Sequence, residues 1–300
     1  MLKCYTSKSF GKASQDLIDI ANDIITEYMN MGYDLTLRQL YYQFVARDHV
    51  PNTEASYNRI GRIVSEARLA GLMSWNSIID RTRNFNSNPH WSDPENFLHE
   101  VAPQYGFDTR KDQDYHIEVW VEKEALAGVV GEAANQLDVM WFSCRGYVSQ
   151  SAMWRASQRI IRKEKTDKKA IILHLGDHDP SGIDMTRDIQ ERLMTFGSQV
   201  VVHRIALNME QISHYTPPPN PTKLSDSRAN DYVVRYGNQS WELDALDPRV
   251  IHELIQTHVT RLTDIERWES NRTKQEVERT MLVWVADNWN NIRDDYENQE

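Results

Sequence analysis

The feature that most constrains this chain is an alternation of short apolar runs with helical segments between His116 and Leu207. The apolar runs have the length of strands, and the segments between them show the spacing of apolar residues that is typical of amphipathic helices. The predicted strands cover 116–121, 139–144, 170–175 and 199–207, and the predicted helices cover 124–137, 149–163 and 183–196. This βαβαβαβ order predicts an α/β fold with a mainly parallel sheet and helices on both faces.

Three further helices are predicted before the sheet region, over 13–31, from Thr36 onward, and over 53–70. Thr36 is a suitable N-cap residue, and the glycine that follows the third helix suits a C-terminal cap. The second and third helices, with the segment 72–75 after them, are typical of a helix-turn-helix with a wing. A small helical subdomain with solvated arginines is the alternative interpretation of the same residues.

The length of 300 residues corresponds to about two domains at roughly 150 residues each. A stretch rich in Asn, Pro, Asp and Ser precedes the sheet region and predicts a connection with one short helix near 95–101. We therefore predict a winged-helix domain over 1–90, a linker over 91–114 and a sheet domain with C-terminal helices over 115–300. The C-terminal helices are predicted over 249–261 and 272–296.

Composition narrows the functional classes. No apolar run approaches the roughly 20 residues that cross a bilayer, and the first residues lack the apolar core of a signal peptide, so we expect a cytoplasmic protein. Two cysteines, Cys4 and Cys144, are too few for a disulfide framework or a zinc ribbon. The net charge of −10 argues against nonspecific coating of nucleic acid, although residues 38–83 carry seven arginines against four acids. A local basic face can still bind DNA.

Three carboxylates follow two of the predicted strands. Glu122 follows the first strand, and Asp177 and Asp179 follow the third. Ligands of parallel sheets bind beyond the carboxyl ends of the strands. Two aspartates at this spacing on an extended backbone project to the same side and can reach one Mg²⁺ ion, and Glu122 could complete the coordination or move a proton. The alternative is that these residues form a turn, with an aspartate capping the next helix.

At these motifs the sequence resembles a known family. The motifs are Val121-Glu122-Lys123-Glu124-Ala125-Leu126, Gly146-Tyr147 and Gly176-Asp177-His178-Asp179-Pro180-Ser181-Gly182. They resemble a Toprim domain, the Mg²⁺-binding module of topoisomerases, primases and some nucleases, and they are closest to the A subunit of topoisomerase VI and its meiotic strand-break relatives. Residues 36–42 are similar to the winged-helix motif of that family, and 241–246 resemble the segment after its Toprim fold.

The resemblance implies an activity and its partners. It identifies Tyr42 as the DNA-cleaving tyrosine and implies that Glu122, Asp177 and Asp179 bind Mg²⁺, with Mn²⁺ as a substitute. It also implies a homodimer in which the tyrosine of one subunit meets the metal site of the other. The chain has no Gly-x-x-x-x-Gly-Lys-Ser/Thr motif and few residues before the tyrosine helix. We therefore expect it to act without an ATPase subunit, as short phage-borne or bacterial stand-alone relatives do.

The proposed nucleophile needs help, because a phenol with a pKa of about 10 is mostly protonated at neutral pH. Arg38 lies one helical turn before Tyr42 and can stabilise the phenolate and grip a phosphate. The alternative is that Tyr41 and Tyr42 are both packing residues. DNA-backbone contacts are predicted for five more arginines, with an ordinary solvated face as the alternative: Arg59, Arg62, Arg68, Arg81 and Arg83.

Three functions fit these observations. The leading hypothesis is Mg²⁺-dependent DNA strand cleavage through a 5′-phosphotyrosyl intermediate, with Tyr42, Arg38 and Glu122 as catalytic residues. The second is a Toprim-type nuclease in which water attacks DNA or RNA. The third is a DNA-binding protein without catalysis, which we rank last because three clustered carboxylates are costly to desolvate unless they are used.

Overall fold

A computed structural model describes residues 2–30, 34–79 and 88–298. The helices are α1 Lys12–Asn30, α2 Leu37–Ala46, α3 Glu54–Leu69, α4 Pro94–Val101, α5 Ala127–Gln136, α6 Gln150–Glu164, α7 Pro180–Thr195, α8 Met209–Tyr215, α9 Ala229–Tyr236, α10 Pro248–Arg261, α11 Ile265–Asp287 and α12 Trp289–Glu297. Among the described helices, none is both long enough and apolar enough to cross a membrane.

A four-stranded parallel sheet organises the larger part of the chain, in the spatial order β2-β1-β3-β4. Its strands are β1 Tyr115–Val121, β2 Met140–Ser143, β3 Lys169–Leu175 and β4 Val201–Ala206. A short antiparallel pair consists of β5 Asn220–Pro221 and β6 Gln239–Ser240. The prediction of an α/β fold with a mainly parallel sheet is confirmed.

Each face of the sheet has its own apolar core. Val119 and Leu173 point to the face covered by α5 and α10, and Trp120 and Ile172 point to the face covered by α6 and α7. Consecutive strand residues alternate between the two faces, and both faces are covered, which explains why the strands read as continuous apolar runs. The carboxyl ends of β1 and β3, the two central strands, therefore lie side by side at one edge.

The first three helices pack around a separate core that includes Tyr28, Leu40 and Phe44. Helix α2 begins with a capping box, since Thr36 and Gln39 each accept a hydrogen bond from the other's main-chain N–H, at 3.3 and 2.9 Å. The segment 72–75, where the wing was expected, forms a turn and enters the 3-10 helix Trp75–Ser77.

Several elements differ from the sequence prediction. Helix α7 begins three residues earlier than predicted, because Asp179 caps it and Pro180 occupies its first position. The predicted helix over 272–296 begins at Ile265 and is interrupted at Asn288, where α12 follows α11. Helices α8 and α9 were not predicted.

The predicted linker, residues 91–114, packs against helix α11. Its helix α4 packs on α11, the hydroxyl of Tyr105 donates to Glu278 at 2.6 Å, and the main-chain N–H of Phe107 donates to Gln275 at 2.9 Å. The helical N-terminal part also meets the sheet part, where Tyr28 donates to Asp247 at 2.9 Å. The predicted domain boundaries stay a prediction.

Candidate functional site

A cleft of about 590 Å³ lies between α2 and the carboxyl edge of the sheet. Its lining combines three parts of the chain that are far apart in sequence. They are Arg38, Tyr41 and Tyr42 from α2, Lys123, Asp177 and Asp179 from the ends of β1 and β3, and Trp241 and Glu242 from the segment after β6. The structure thus places the predicted nucleophile and two of the three predicted acidic residues, Asp177 and Asp179, of one chain at the same cleft.

Tyr42 is held inside the cleft wall. Its side chain is almost fully buried, at 4% exposure, and it lines the cleft beside Glu242. Burial raises the pKa of the phenol above its ordinary value of 10, the negative charges of Asp244 and Glu242 raise it further, and Arg38 opposes the rise. The neighbouring Tyr41 is equally buried, and its hydroxyl accepts a hydrogen bond from Thr53 N–H at 2.9 Å.

Arg38 is paired with two carboxylates. One terminal nitrogen lies 2.6 Å from Glu242 Oε2, and Nε lies 3.0 Å from Asp244 Oδ2. Burial acts to lower the pKa of Arg38, but the two acids outweigh it and raise the pKa, so the guanidinium stays charged. About half of the side chain, 47%, is exposed, which leaves Arg38 accessible from the cleft.

Lys123 is paired with three carboxylates of the site. Its Nζ lies 2.9 Å from a carboxylate oxygen of each of three residues, Asp177, Glu242 and Asp244. Although burial alone would lower the pKa of Lys123, these three acids raise it above its ordinary value. The lysine therefore joins the acidic residues at the sheet edge to those beside Tyr42.

Glu122 and Asp177 are neighbours, because Glu122 Oε2 accepts the main-chain N–H of Asp177 at 2.9 Å. Burial raises the pKa of Asp177 to about 7; Lys123 opposes this rise, and the charges of Glu122 and Asp244 add to it. Burial also raises the pKa of Glu122, and the charge of Asp179 adds to that rise. Burial therefore disfavours the ionised forms of both acids at the sheet edge.

Asp179 caps helix α7. Its Oδ1 accepts hydrogen bonds from Gly182 N–H at 2.6 Å and from the Ser181 hydroxyl at 3.0 Å. A Cβ atom on Gly182 would lie 2.2 Å from the main-chain oxygen of Asp177, so the turn requires glycine there. The segment therefore has the turn and the helix cap that the alternative interpretation predicted, and Asp179 also lines the cleft.

The donor chemistry of the sheet edge suits a hard divalent cation. Mg²⁺ prefers carboxylate oxygens, and a bound cation would favour the ionised forms of Glu122 and Asp177, which burial and mutual repulsion disfavour. As placed, Asp177 is already paired with Lys123, and Asp179 is engaged in its helix cap. Within the described residues, no three His, Cys, Asp or Glu side chains are arranged as a metal-binding group.

His178, between the two aspartates, turns away from these residues. Its ring is buried, at 2% exposure, and Nδ1 is hydrogen-bonded to the Tyr232 hydroxyl at 2.8 Å. Burial, and to a smaller extent the positive charge of Arg204, lower the pKa of His178 to about 4, so the ring is neutral at pH 7.

The predicted DNA-contacting arginines occupy different environments. Arg59 and Arg62 are exposed on α3. Arg68 is engaged within the protein, because its guanidinium lies over the Trp75 ring at 4.8 Å and donates to the main-chain oxygens of Trp75 and Ile78. Arg81 and Arg83 lie outside the described residues.

Sequence reasoning missed four charged residues of the site. Lys123, Glu242 and Asp244 lie inside the motifs that carry the family resemblance. A charged residue within such a motif was the signal that could have identified them. The fourth, Arg204, is a single arginine in β4 without a motif. Its side chain is half-buried, and burial lowers its pKa to about 10.

Comparison with known proteins adds no family to this description. No protein-family model matches the chain, and no curated protein matches it in sequence.

Proposed function

We propose that this chain is a Mg²⁺-dependent DNA strand-cleaving transesterase in which Tyr42 attacks a phosphodiester and forms a 5′-phosphotyrosyl link. The observation that carries the proposal is the continuous network from Tyr42 through Glu242 and Lys123 to Asp177. A phenol, two cations and a group of buried carboxylates at one cleft are the components that phosphoryl transfer to a tyrosine requires.

The residues of the cleft divide this chemistry among them. Tyr42 supplies the nucleophilic oxygen, and Arg38 binds the phosphate through the guanidinium that the cleft exposes. Charge-assisted and bidentate contacts of this kind stabilise the negative charge that spreads over the phosphate oxygens in the transition state. Lys123 adds a second positive charge between α2 and the sheet edge.

Glu122, Asp177 and Asp179 are the residues that would bind Mg²⁺. When bound, the ion would supply electrostatic stabilisation to the phosphate or to the leaving 3′ oxygen. The acids follow the central strands β1 and β3, which supports a Toprim-like fold for the sheet part. The capped helices α2 and α3 support a helix-turn-helix interpretation of the N-terminal part, in which the exposed Arg59 and Arg62 face DNA.

The test uses DNA labelled at its 3′ ends, because a 5′-phosphotyrosyl link leaves the 3′ segment attached to the protein. The reaction with Mg²⁺ or Mn²⁺ is stopped with detergent, and protein-bound label is measured. Wild type and Tyr41→Phe retain label, whereas Tyr42→Phe and Asp177→Asn do not. Tyr41→Phe is the matched control, because Tyr41 is the adjacent residue and is equally buried.

A metal-dependent nuclease that uses water is the second candidate, and the burial of the Tyr42 hydroxyl against Glu242 favours it. Cleavage that survives Tyr42→Phe but not Asp177→Asn, with no label on the protein, contradicts the transesterase and establishes this nuclease. Tight DNA binding by all four proteins without any cleavage contradicts both activities and leaves a DNA-binding protein.

A further inference from the structure

Glu242 is the residue at which the nucleophile and both cations meet. Its carboxylate lies beside Tyr42 in the lining of the cleft, 2.6 Å from Arg38 and 2.9 Å from Lys123. A carboxylate can only accept, so in a contact between these two groups the phenol is the donor. Of the two acids in the segment 242–244, Asp244 shares both cations and acts on Tyr42 through its charge.

Glu242 pairs with the two cations, Arg38 and Lys123, in the way that a phosphate would. Carboxylate and phosphodiester are both anionic oxygen acceptors that pair with arginine and lysine in the same way. The side chain of Arg38 is 47% exposed and that of Lys123 is 19% exposed, and both line the cleft. A DNA phosphate that enters the cleft therefore competes with Glu242 for Arg38 and Lys123.

We propose that Glu242 is the proton acceptor for Tyr42, and that it acts once a DNA phosphate has displaced it from Arg38 and Lys123. This inference rests on the proposed function. It assigns a catalytic role to a residue outside the acidic motifs at the sheet edge, and it makes phosphate binding the event that activates the nucleophile.

The charges around Glu242 support an order in which the phosphate binds first and Glu242 then accepts the proton. Burial acts to raise the pKa of Glu242, but Lys123 and Arg38 lower it to about 2, so with both cations bound the carboxylate is a weak base. When the phosphate takes the cations, Asp244 and the two phenols of Tyr41 and Tyr42 remain as the titratable groups near Glu242. The nearby negative charge of Asp244 favours a more basic carboxylate, and the Tyr42 phenol opposes that rise.

The step balances in protons and electrons. The Tyr42 O–H bond breaks, its proton moves to the Glu242 carboxylate, and the phenolic oxygen forms a bond to phosphorus. The bond between phosphorus and the 3′ oxygen breaks with its electron pair on oxygen, and that oxygen takes one proton from water. The phosphodiester keeps its single negative charge, and Glu242 later returns its proton to water.

Three variants of the full chain separate the roles. Glu242→Gln keeps the shape and an oxygen acceptor for Tyr42 but cannot take a proton. Glu242→Asp retains a carboxylate, and Asp244→Asn removes the neighbouring charge that shares the same cations. Each is compared with wild type for unfolding temperature, for binding to a labelled duplex without divalent metal, and for the single-turnover rate of adduct formation across pH at saturating DNA.

We expect Glu242→Gln and Asp244→Asn both to bind the duplex several-fold more tightly than wild type, because each frees Arg38 and Lys123. Only Glu242→Gln loses adduct formation, by about 10²- to 10⁴-fold. Its residual rate rises about tenfold per pH unit, since hydroxide must then remove the phenol proton. Glu242→Asp recovers part of the rate, and Asp244→Asn, which keeps the Glu242 carboxylate, forms the adduct without the tenfold rise per pH unit expected of Glu242→Gln.

Two outcomes overturn the inference separately from the proposed function. If wild type forms the adduct and folded Glu242→Gln forms it at a similar rate and with a similar pH dependence, Glu242 is not the proton acceptor while the transesterase stands. If wild type forms no adduct, the proposed function fails and the role of Glu242 in it fails too. Unchanged duplex affinity in Glu242→Gln contradicts the displacement of Glu242 by phosphate.

Discussion

Arg204 donates to the main-chain oxygen of Asp177 at 2.6 Å, and this contact ties the loop after β3 to strand β4. The same guanidinium donates to the main-chain oxygens of Gly176 and Gly182, both at 2.9 Å. One half-buried cation therefore spans the turn that carries Asp177 and Asp179. The orientation of these acids depends on a residue that contacts neither carboxylate through a hydrogen bond.

Replacing Arg204 by methionine tests this dependence. Arg204→Met leaves several buried main-chain oxygens without their donor, and we expect it to lower the free energy of unfolding by about 2–4 kcal/mol. Urea denaturation measures the change. Arg187→Met, which removes an exposed arginine from α7, is the control and shifts stability by about 0.5 kcal/mol at most. A loss no larger than the control contradicts a structural role for Arg204.

The environment of Glu118 predicts that this residue stabilises the fold at neutral pH and loses that effect in acid. The carboxylate is buried in β1 and accepts from both Arg159 and Trp120. Burial opposes ionisation, but His116 and Arg159 outweigh it and lower the pKa of Glu118 from 4.5 to about 2. Because the folded-state pKa lies below the unfolded one, the stabilisation is fully present above about pH 4.5 and is lost as pH falls towards 2.

Glu118→Gln is therefore expected to cost about 2–3 kcal/mol at pH 7 and progressively less in acid. The measurement is urea unfolding of variant and wild type between pH 7 and pH 3. Glu253→Gln, on the exposed side of α10, changes stability little at any of these pH values. A cost of Glu118→Gln that does not change with pH argues against an ionised Glu118.

Metal binding can be tested without DNA. If Mn²⁺ binds Glu122, Asp177 and Asp179, it stabilises the fold by about 2.7 kcal/mol at a concentration one hundred times its dissociation constant. We expect thermal unfolding of wild type to shift upward with Mn²⁺ and that of Asp177→Asn to stay constant. Asp188→Asn, which removes an acid of α7 paired with Arg192, retains the shift. An equal shift in all three proteins places the ion elsewhere.

The arginines of the N-terminal part are expected to separate into two groups. Arg59→Gln and Arg62→Gln weaken duplex binding and each reduce the slope of log affinity against log salt by about 0.9, as one lost phosphate contact does. Arg68→Gln instead lowers thermal stability, because Arg68 holds the main chain at Trp75 and Ile78. Fluorescence anisotropy across salt concentrations measures the first effect. Identical salt slopes in all variants contradict a DNA-binding face on α3.

The position of Tyr42 predicts how subunits combine. Tyr42 and Asp177 of one chain reach the same cleft, so we expect that Tyr42→Phe and Asp177→Asn, produced together, form no more adduct than either alone. The positive control is wild type produced together with the double variant. Recovered adduct in the mixture would show instead that the tyrosine acts across a dimer, which is what the family resemblance implies.

The sheet could be predicted from sequence because its signal is local. Strands such as β1 and β3 are continuous apolar runs, and the caps Thr36 and Thr53 mark where α2 and α3 begin. Helices α8 and α9 were missed because they are short and lie in a segment dominated by proline and polar residues. Their positions depend on packing rather than on periodicity.

The candidate site could be predicted only in part. Spacing along α2 and along β3 placed Arg38 with Tyr42 and Asp177 with Asp179, because each pair lies within one element or turn. The partners of Arg38 and Lys123 could not be found that way, since the Arg38–Glu242 pair joins residues 204 positions apart. Such a pairing depends on the packing of α2 against the segment after β6.

That separation has a consequence during protein synthesis. The ribosome releases Arg38 and Tyr42 early, whereas Glu242 emerges 204 residues after Arg38, and Asp244 follows it. Domains fold as they emerge, from the N-terminal end onward. A chain interrupted before Trp241 can therefore complete its first helices and much of its sheet, yet it lacks the acids that pair with Arg38 and Lys123. Premature termination before Trp241 therefore yields a fragment that cannot assemble the cleft.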